Sequence, residues 1–121
     1  MIKFIYVVRR RPDISREAFR KYWMEKHGPL VRQYASALRA KRYVQSHTLD
    51  TRFNTIAQKS RGTAEPYDGI TEIWLDSIKD LVLAGMTAKG REANRLLAED
   101  EARFCDLPNC SVFFTEEHTI F

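Results

Sequence analysis

Long apolar runs are absent from this sequence. No stretch approaches the roughly 20 residues that cross a bilayer, so no membrane span is expected. Cysteine is scarce: Cys105 and Cys110 are the only two in 121 residues. No second Cys or His pair flanks them, and the three histidines (His27, His47, His118) show neither HxH nor HxxxH spacing. A bound metal is therefore not expected. An export signal is also missing from the start, MIKFIYVVRRRPD. Its apolar run is short and its basic cluster follows that run, whereas a signal peptide puts the charge first. The expectation is a cytoplasmic protein with both thiols reduced. Residues 1–61 lack acids, with four Asp/Glu against fifteen Lys/Arg, a balance of +11. Residues 62–121 reverse this, with twelve Asp/Glu against five Lys/Arg, a balance of −7. Such halves attract each other within a chain or across a self-complementary interface. No aromatic RNA-binding octamer is present, so nucleic acid is not an expected partner.

What is present suits one compact domain over residues 1–121. Ile2 to Val8 is a short strand, with Phe4, Tyr6 and Val8 on one side and Ile5 and Val7 on the other. Apolar residues on both sides call for cover on both sides. Ser15 is a good helix N-cap, and Phe19, Tyr22 and Trp23 form a stripe behind it. Lys26-His27-Gly28-Pro29 reads as a helix stop with a left-handed glycine, and a second helix follows from Leu30 to Leu38. Arg42 to Leu49 is a second strand, with Tyr43, Gln45 and His47 on one side. Thr51 to Pro66 shows no clear period and reads as a lid or a disordered connection. Gly69 to Leu75 is a third strand; Ser77 and Asp80 open a helix; residues 87–103 form another, with Leu96, Leu97, Ala98 and Phe104 at its buried edge; Ser111 to Phe121 is the last strand.

The order is β-α(α)-β-β-α(α)-β, an α+β fold of the split βαβ kind with a four-stranded antiparallel sheet. Helices cover one sheet face only. The other face, with bulky apolar groups on strands one and four, is expected to bury itself against a second copy in a homodimer.

In that order, FRKYWMEKHGPLV, RYVQSH and FFTEEH resemble the EthD family of ferredoxin-like, dimeric α/β-barrel proteins. The resemblance implies a cofactor-free protein with a small-molecule pocket between sheet and helices. Family members are similar to isomerases, cyclases and dehydratases acting on lactones, aromatic polyketides or other enolisable carbonyl compounds. Others are non-catalytic accessory proteins of degradation operons. Fold and reaction are separate inferences.

The candidate chemistry is acid–base. Histidine exchanges a proton near neutrality, and His27 at a helix end is placed to approach His47 on the second strand. One ring would take a proton from a carbon acid; the other, or a tyrosine, would serve the developing oxyanion. The plainer readings are that His27 caps helix carbonyls and that His47 is a half-exposed strand residue. Tyr6, Tyr43, Glu72 and Trp74 are the candidate substrate-binding residues, with Tyr6, Glu72 and Trp74 lining the pocket from one sheet face. Glu72 between Ile70 and Trp74 needs a partner, such as an arginine of the basic half, or a raised pKa. Tyr6 and Trp74 also suit a core or a dimer seam.

Overall fold

The computed structural model describes residues 1–121. Strands β1 (Ile2–Val8), β2 (Arg42–His47), β3 (Gly69–Leu75) and β4 (Ser111–Glu116) form one antiparallel sheet, in the order β2-β3-β1-β4. The central pair, β1 and β3, is joined through a helical crossover and β2, which is the expected split βαβ topology. Helices α1 (Arg16–Tyr22), α2 (Gly28–Tyr34), α4 (Ile78–Gly85) and α5 (Ala88–Glu101) supply the helical layer. No helix is long and apolar enough to cross a membrane.

Strand register assigns the two faces, because directly paired residues project to the same side. Phe4 pairs with Ile73 and Tyr6 with Thr71, and these face the helices. The core on that side is Tyr6, Val8, Phe19, Trp23, Phe104 and Cys105. Full burial of an aromatic such as Trp23 contributes about 2–3 kcal/mol. The opposite face carries Lys3, Ile5 and Val7 beside Trp74, Glu72 and Ile70, with Phe113 of β4 paired to Ile5. Ile70 and Phe113 are 40% and 45% exposed, so this side carries bare apolar groups, with the Lys3–Glu72 ion pair among them.

The structure corrects the expected stop at Lys26–Pro29. The chain does not break there: Gly28 has φ −54°, and α1 runs into α2 through a π-turn over Trp23–His27. Proline has no N–H, and its ring collides with the carbonyl four residues back in an α-helix. The wider π-turn absorbs this, and the Gly28 N–H bonds the Trp23 carbonyl, five residues back. Phe19, Trp23, His27 and Val31 recur every four residues and all are buried. In a straight α-helix that spacing drifts by about 40° per step; the wider turn takes up part of the drift.

A second correction concerns Thr51 to Pro66. It contains a further helix, α3 (Arg52–Arg61). The Thr51 side chain accepts from the Phe53 N–H, and Gly62 closes the helix at φ +65°. None of its residues is buried, and Phe53 and Ile56 are exposed. Three expected elements are also shorter than read: β2 ends at His47, α2 at Tyr34 and β4 at Glu116.

Candidate functional site

The last turn of α5 lies against the π-turn and β1, and this places two carboxyls beside one imidazole. His27 is 5% exposed, and its Nδ1 lies 2.7 Å from Asp100 Oδ2. The other Asp100 oxygen accepts from the Tyr22 hydroxyl and, at 3.0 Å, from Arg103. Burial raises the Asp100 pKa, but these hydrogen bonds outweigh it and hold the carboxyl below its usual range. Burial lowers the His27 pKa, and Asp100 only partly restores it. The ring is therefore neutral near pH 7. A carboxylate can only accept, so the proton sits on Nδ1 and the Nε2 lone pair is free.

That lone pair faces Glu101, whose Oε2 lies 3.9 Å from Nε2. The gap is too long for a hydrogen bond and leaves both atoms open to a third group. Burial pushes the Glu101 pKa up to about 7; the Tyr6 hydroxyl opposes the shift, and the Asp100 charge adds to it. Burial also raises the pKa values of Tyr6 and Tyr43, so both keep their protons.

These groups enclose a hollow of about 30 Å³ lined by Tyr6, Trp23, His27, Tyr43, Glu101 and Phe104 among others. An apolar groove of about 400 Å³ adjoins it, between α4, α5 and the sheet. Phe4, Ile73, Leu97 and Glu101 line both, which puts Glu101 at their junction. The arrangement is a neutral base and a carboxyl that titrates near neutrality, 3.9 Å apart, where a small hollow adjoins an apolar groove. No three His, Cys, Asp or Glu side chains are grouped to share a metal ion.

Of the residues singled out in the sequence, His27, Tyr6 and Tyr43 meet in this hollow. His47 does not line it. Its ring stacks on the Trp23 indole at 4.4 Å between centroids, and Nε2 bonds the Gln45 side chain at 2.8 Å. The expected His27–His47 pair is therefore corrected, since the Trp23 ring takes the contact His47 would need. His47 acts on the hollow through Gln45, whose Nε2 donates to the Tyr43 hydroxyl at 2.7 Å and to the Trp23 carbonyl at 2.8 Å.

Glu72 and Trp74 are also corrected. They share the bare face with Ile5 and Lys3, opposite to Tyr6, because neighbouring residues of a strand alternate sides. Glu72 finds its cation in Lys3, at 2.8 Å, and not in an arginine. Trp74 lies under Arg42 and Lys3, 4.7 and 5.1 Å from its ring centroid.

Asp100 and Glu101 went unnoticed in the sequence. One signal was available. Glu99-Asp100-Glu101 closes a helix, where the dipole disfavours negative charge. Three acids there call for an explanation beyond helix stability.

The fold and the site can now be set beside known proteins. The EthD domain profile matches residues 11–108. The chain belongs to the EthD family. Among solved structures, an EthD family protein from Bacillus halodurans superposes with a TM-score of 0.64 at 19% identity, covering 98% of this chain and 99% of that one. An EthD-like protein from Ralstonia eutropha gives 0.60 at 13% identity, over 95% and 90% of the two chains. A dimeric ferredoxin-like protein from Thermobifida fusca gives 0.59 at 14% identity, over 96% and 90%. At such identities the EthD fold is shared and the chemistry is left to the site. No curated protein matches the chain.

Proposed function

We propose that this EthD protein is a cofactor-independent isomerase, cyclase or dehydratase that enolises a small carbonyl compound, with His27 as base and Glu101 as acid. The observation that carries this reading is the 3.9 Å separation of His27 Nε2 from a half-buried Glu101 carboxyl whose pKa is pushed up to about 7. The two environments push neighbouring titratable groups toward the protonation states that the chemistry needs.

The step balances within the site. The C–H bond next to the carbonyl breaks, and its proton goes to His27 Nε2, which Asp100 stabilises as imidazolium. The carbonyl oxygen takes the Glu101 proton and becomes an enol, with the Tyr6 or Tyr43 hydroxyl donating to the same oxygen. Return of the proton to a different carbon isomerises the compound. Expulsion of a β-hydroxyl as water, protonated by the His27 imidazolium while the enol O–H proton returns to Glu101, dehydrates it; attack of the enol carbon on a second carbonyl, whose oxygen takes the His27 proton as the enol O–H proton returns to Glu101, closes a ring.

The test is deuterium incorporation. Lactones and 1,3-dicarbonyl compounds are incubated with the protein in D2O, and loss of the α-proton signal is followed by NMR. Exchange above the buffer rate is expected, and His27→Gln and Glu101→Gln should each slow it roughly 10²–10⁴-fold. Binding without exchange, or exchange unchanged in Glu101→Gln, overturns the enzyme reading and favours an accessory binding protein. We further propose that the protein works as a homodimer joined through the bare sheet face. Ile5, Val7, Ile70 and Phe113 supply the apolar contact.

A further inference from the structure

The groove that leads to Glu101 says what kind of compound reaches it. Its walls are Phe4, Ile73, Leu75, Ala84 and Leu97, and its only polar lining residues are Asn94 and Glu101. The chain has twenty lysines and arginines, and none lines this groove. Asn94 and Glu101 lie on α5 seven residues apart, two turns on one helix face, with Leu97 and Ala98 between them on the same face. Seven residues of helix span about 10 Å.

Resting on the reaction centre proposed above, we infer that the substrate is an uncharged, elongated compound lying along α5. Its reacting carbonyl is at Glu101, its apolar body against Leu97, and a second polar group is near the Asn94 amide about 10 Å away. An anionic compound is rejected for a physical reason. Its charge would enter an apolar groove with no cation to pair with, toward the Glu101 carboxyl, whose own ionisation the site already disfavours. The closed hollow beyond Glu101, about 30 Å³, takes no more than a carbonyl oxygen, a methyl group or a water. The bulk of the compound therefore stays in the groove.

A matched pair of fluorescent probes tests this on the intact protein. N-phenylnaphthylamine is neutral; anilinonaphthalene sulfonate has the same rings and one sulfonate. The neutral probe is expected to bind at least about tenfold more tightly, the cost of one poorly compensated charge. Ala98 is exposed on the groove wall, so Ala98→Trp fills the groove without entering the core, and neutral-probe binding should be lost. Asn94→Leu should weaken a neutral ketone probe, propionyl-dimethylaminonaphthalene, about fivefold, one hydrogen bond's worth. The same change should leave N-phenylnaphthylamine unaffected. Glu101→Gln should keep neutral-probe binding, because the probes report the groove and not the reaction; a failed exchange experiment with the probe preference intact overturns the reaction alone. Equal or tighter binding of the sulfonate, or neutral-probe binding that survives Ala98→Trp, overturns it.

Discussion

At the scale of single residues, the site turns on opposite pKa shifts in two groups that face each other. The Glu101 carboxyl has a folded pKa of about 7 against 4.5 when unfolded. Between those values the native state holds a proton that the unfolded chain has released. Stability therefore falls as pH rises through that window. His27 works in the other sense: its folded pKa lies below 6.5, so stability is lost as pH falls below that value. Glu101→Gln removes only the first effect. The variant should match the parent near pH 5 and be more stable near pH 8 by about 1–3 kcal/mol, measured by urea denaturation. Asp100→Asn should free the His27 tautomer and cut deuterium exchange by about 10²-fold or more. The circular dichroism of the folded chain should be retained. His27, Tyr6 and Tyr43 were legible in the sequence, because a histidine or tyrosine on a strand or helix end is conspicuous. Glu101 was not, because a carboxylate in a polar helix looks like surface until the packing of α5 against β1 shows otherwise.

At the scale of elements, the π-turn sets the aim of His27. It keeps Trp23 and His27 buried on one side, and it leaves the Trp23 carbonyl within reach of Gln45, which in turn holds Tyr43. Trp23 can lie flat because β3 starts with Gly69. A Cβ there would sit 2.5 Å from the indole and 2.6 Å from the Ser46 carbonyl oxygen. Gly69→Ala should destabilise by roughly 1–3 kcal/mol and disturb the Trp23 fluorescence. Gly85→Ala, at a helix position with nothing within 4 Å of the added carbon, should be neutral or stabilising by about 0.5–1 kcal/mol. Alternation within each strand was readable, and the Tyr43-Gln45-His47 side is as expected, but the register that sets Glu72 and Trp74 opposite Tyr6 was not, because alternation does not say which face of one strand meets which face of the next. The π-turn was hidden, because Gly-Pro after a helix is the usual sign of a stop. Helix α3 was hidden too, since its Phe53 and Ile56 are exposed and leave no buried stripe to read, although Thr51 and Gly62 mark its ends.

At the scale of the whole molecule, part of the opposite charge of the two halves is paired inside the chain. Lys3–Glu72, Arg10–Asp68, Arg39–Asp80 and Lys41–Asp76 each join the basic half to the acidic one. These four pairs stay within one copy, and the proposed dimer is expected to rest on the bare sheet face. Phe113→Asp and Ile70→Asp should each shift the protein toward monomer in sedimentation velocity at micromolar concentration. A parent that sediments as a monomer contradicts this part of the account.

Everything proposed for the site needs Glu101 to exchange its proton near neutral pH beside a neutral His27. The direct measurement is an NMR titration of the Glu101 side-chain carboxyl carbon in protein labelled at glutamate. The account predicts a midpoint near 7, with the His27 ring resonances responding in the same range. A midpoint near 4.5, the value of an unperturbed glutamate, would contradict it.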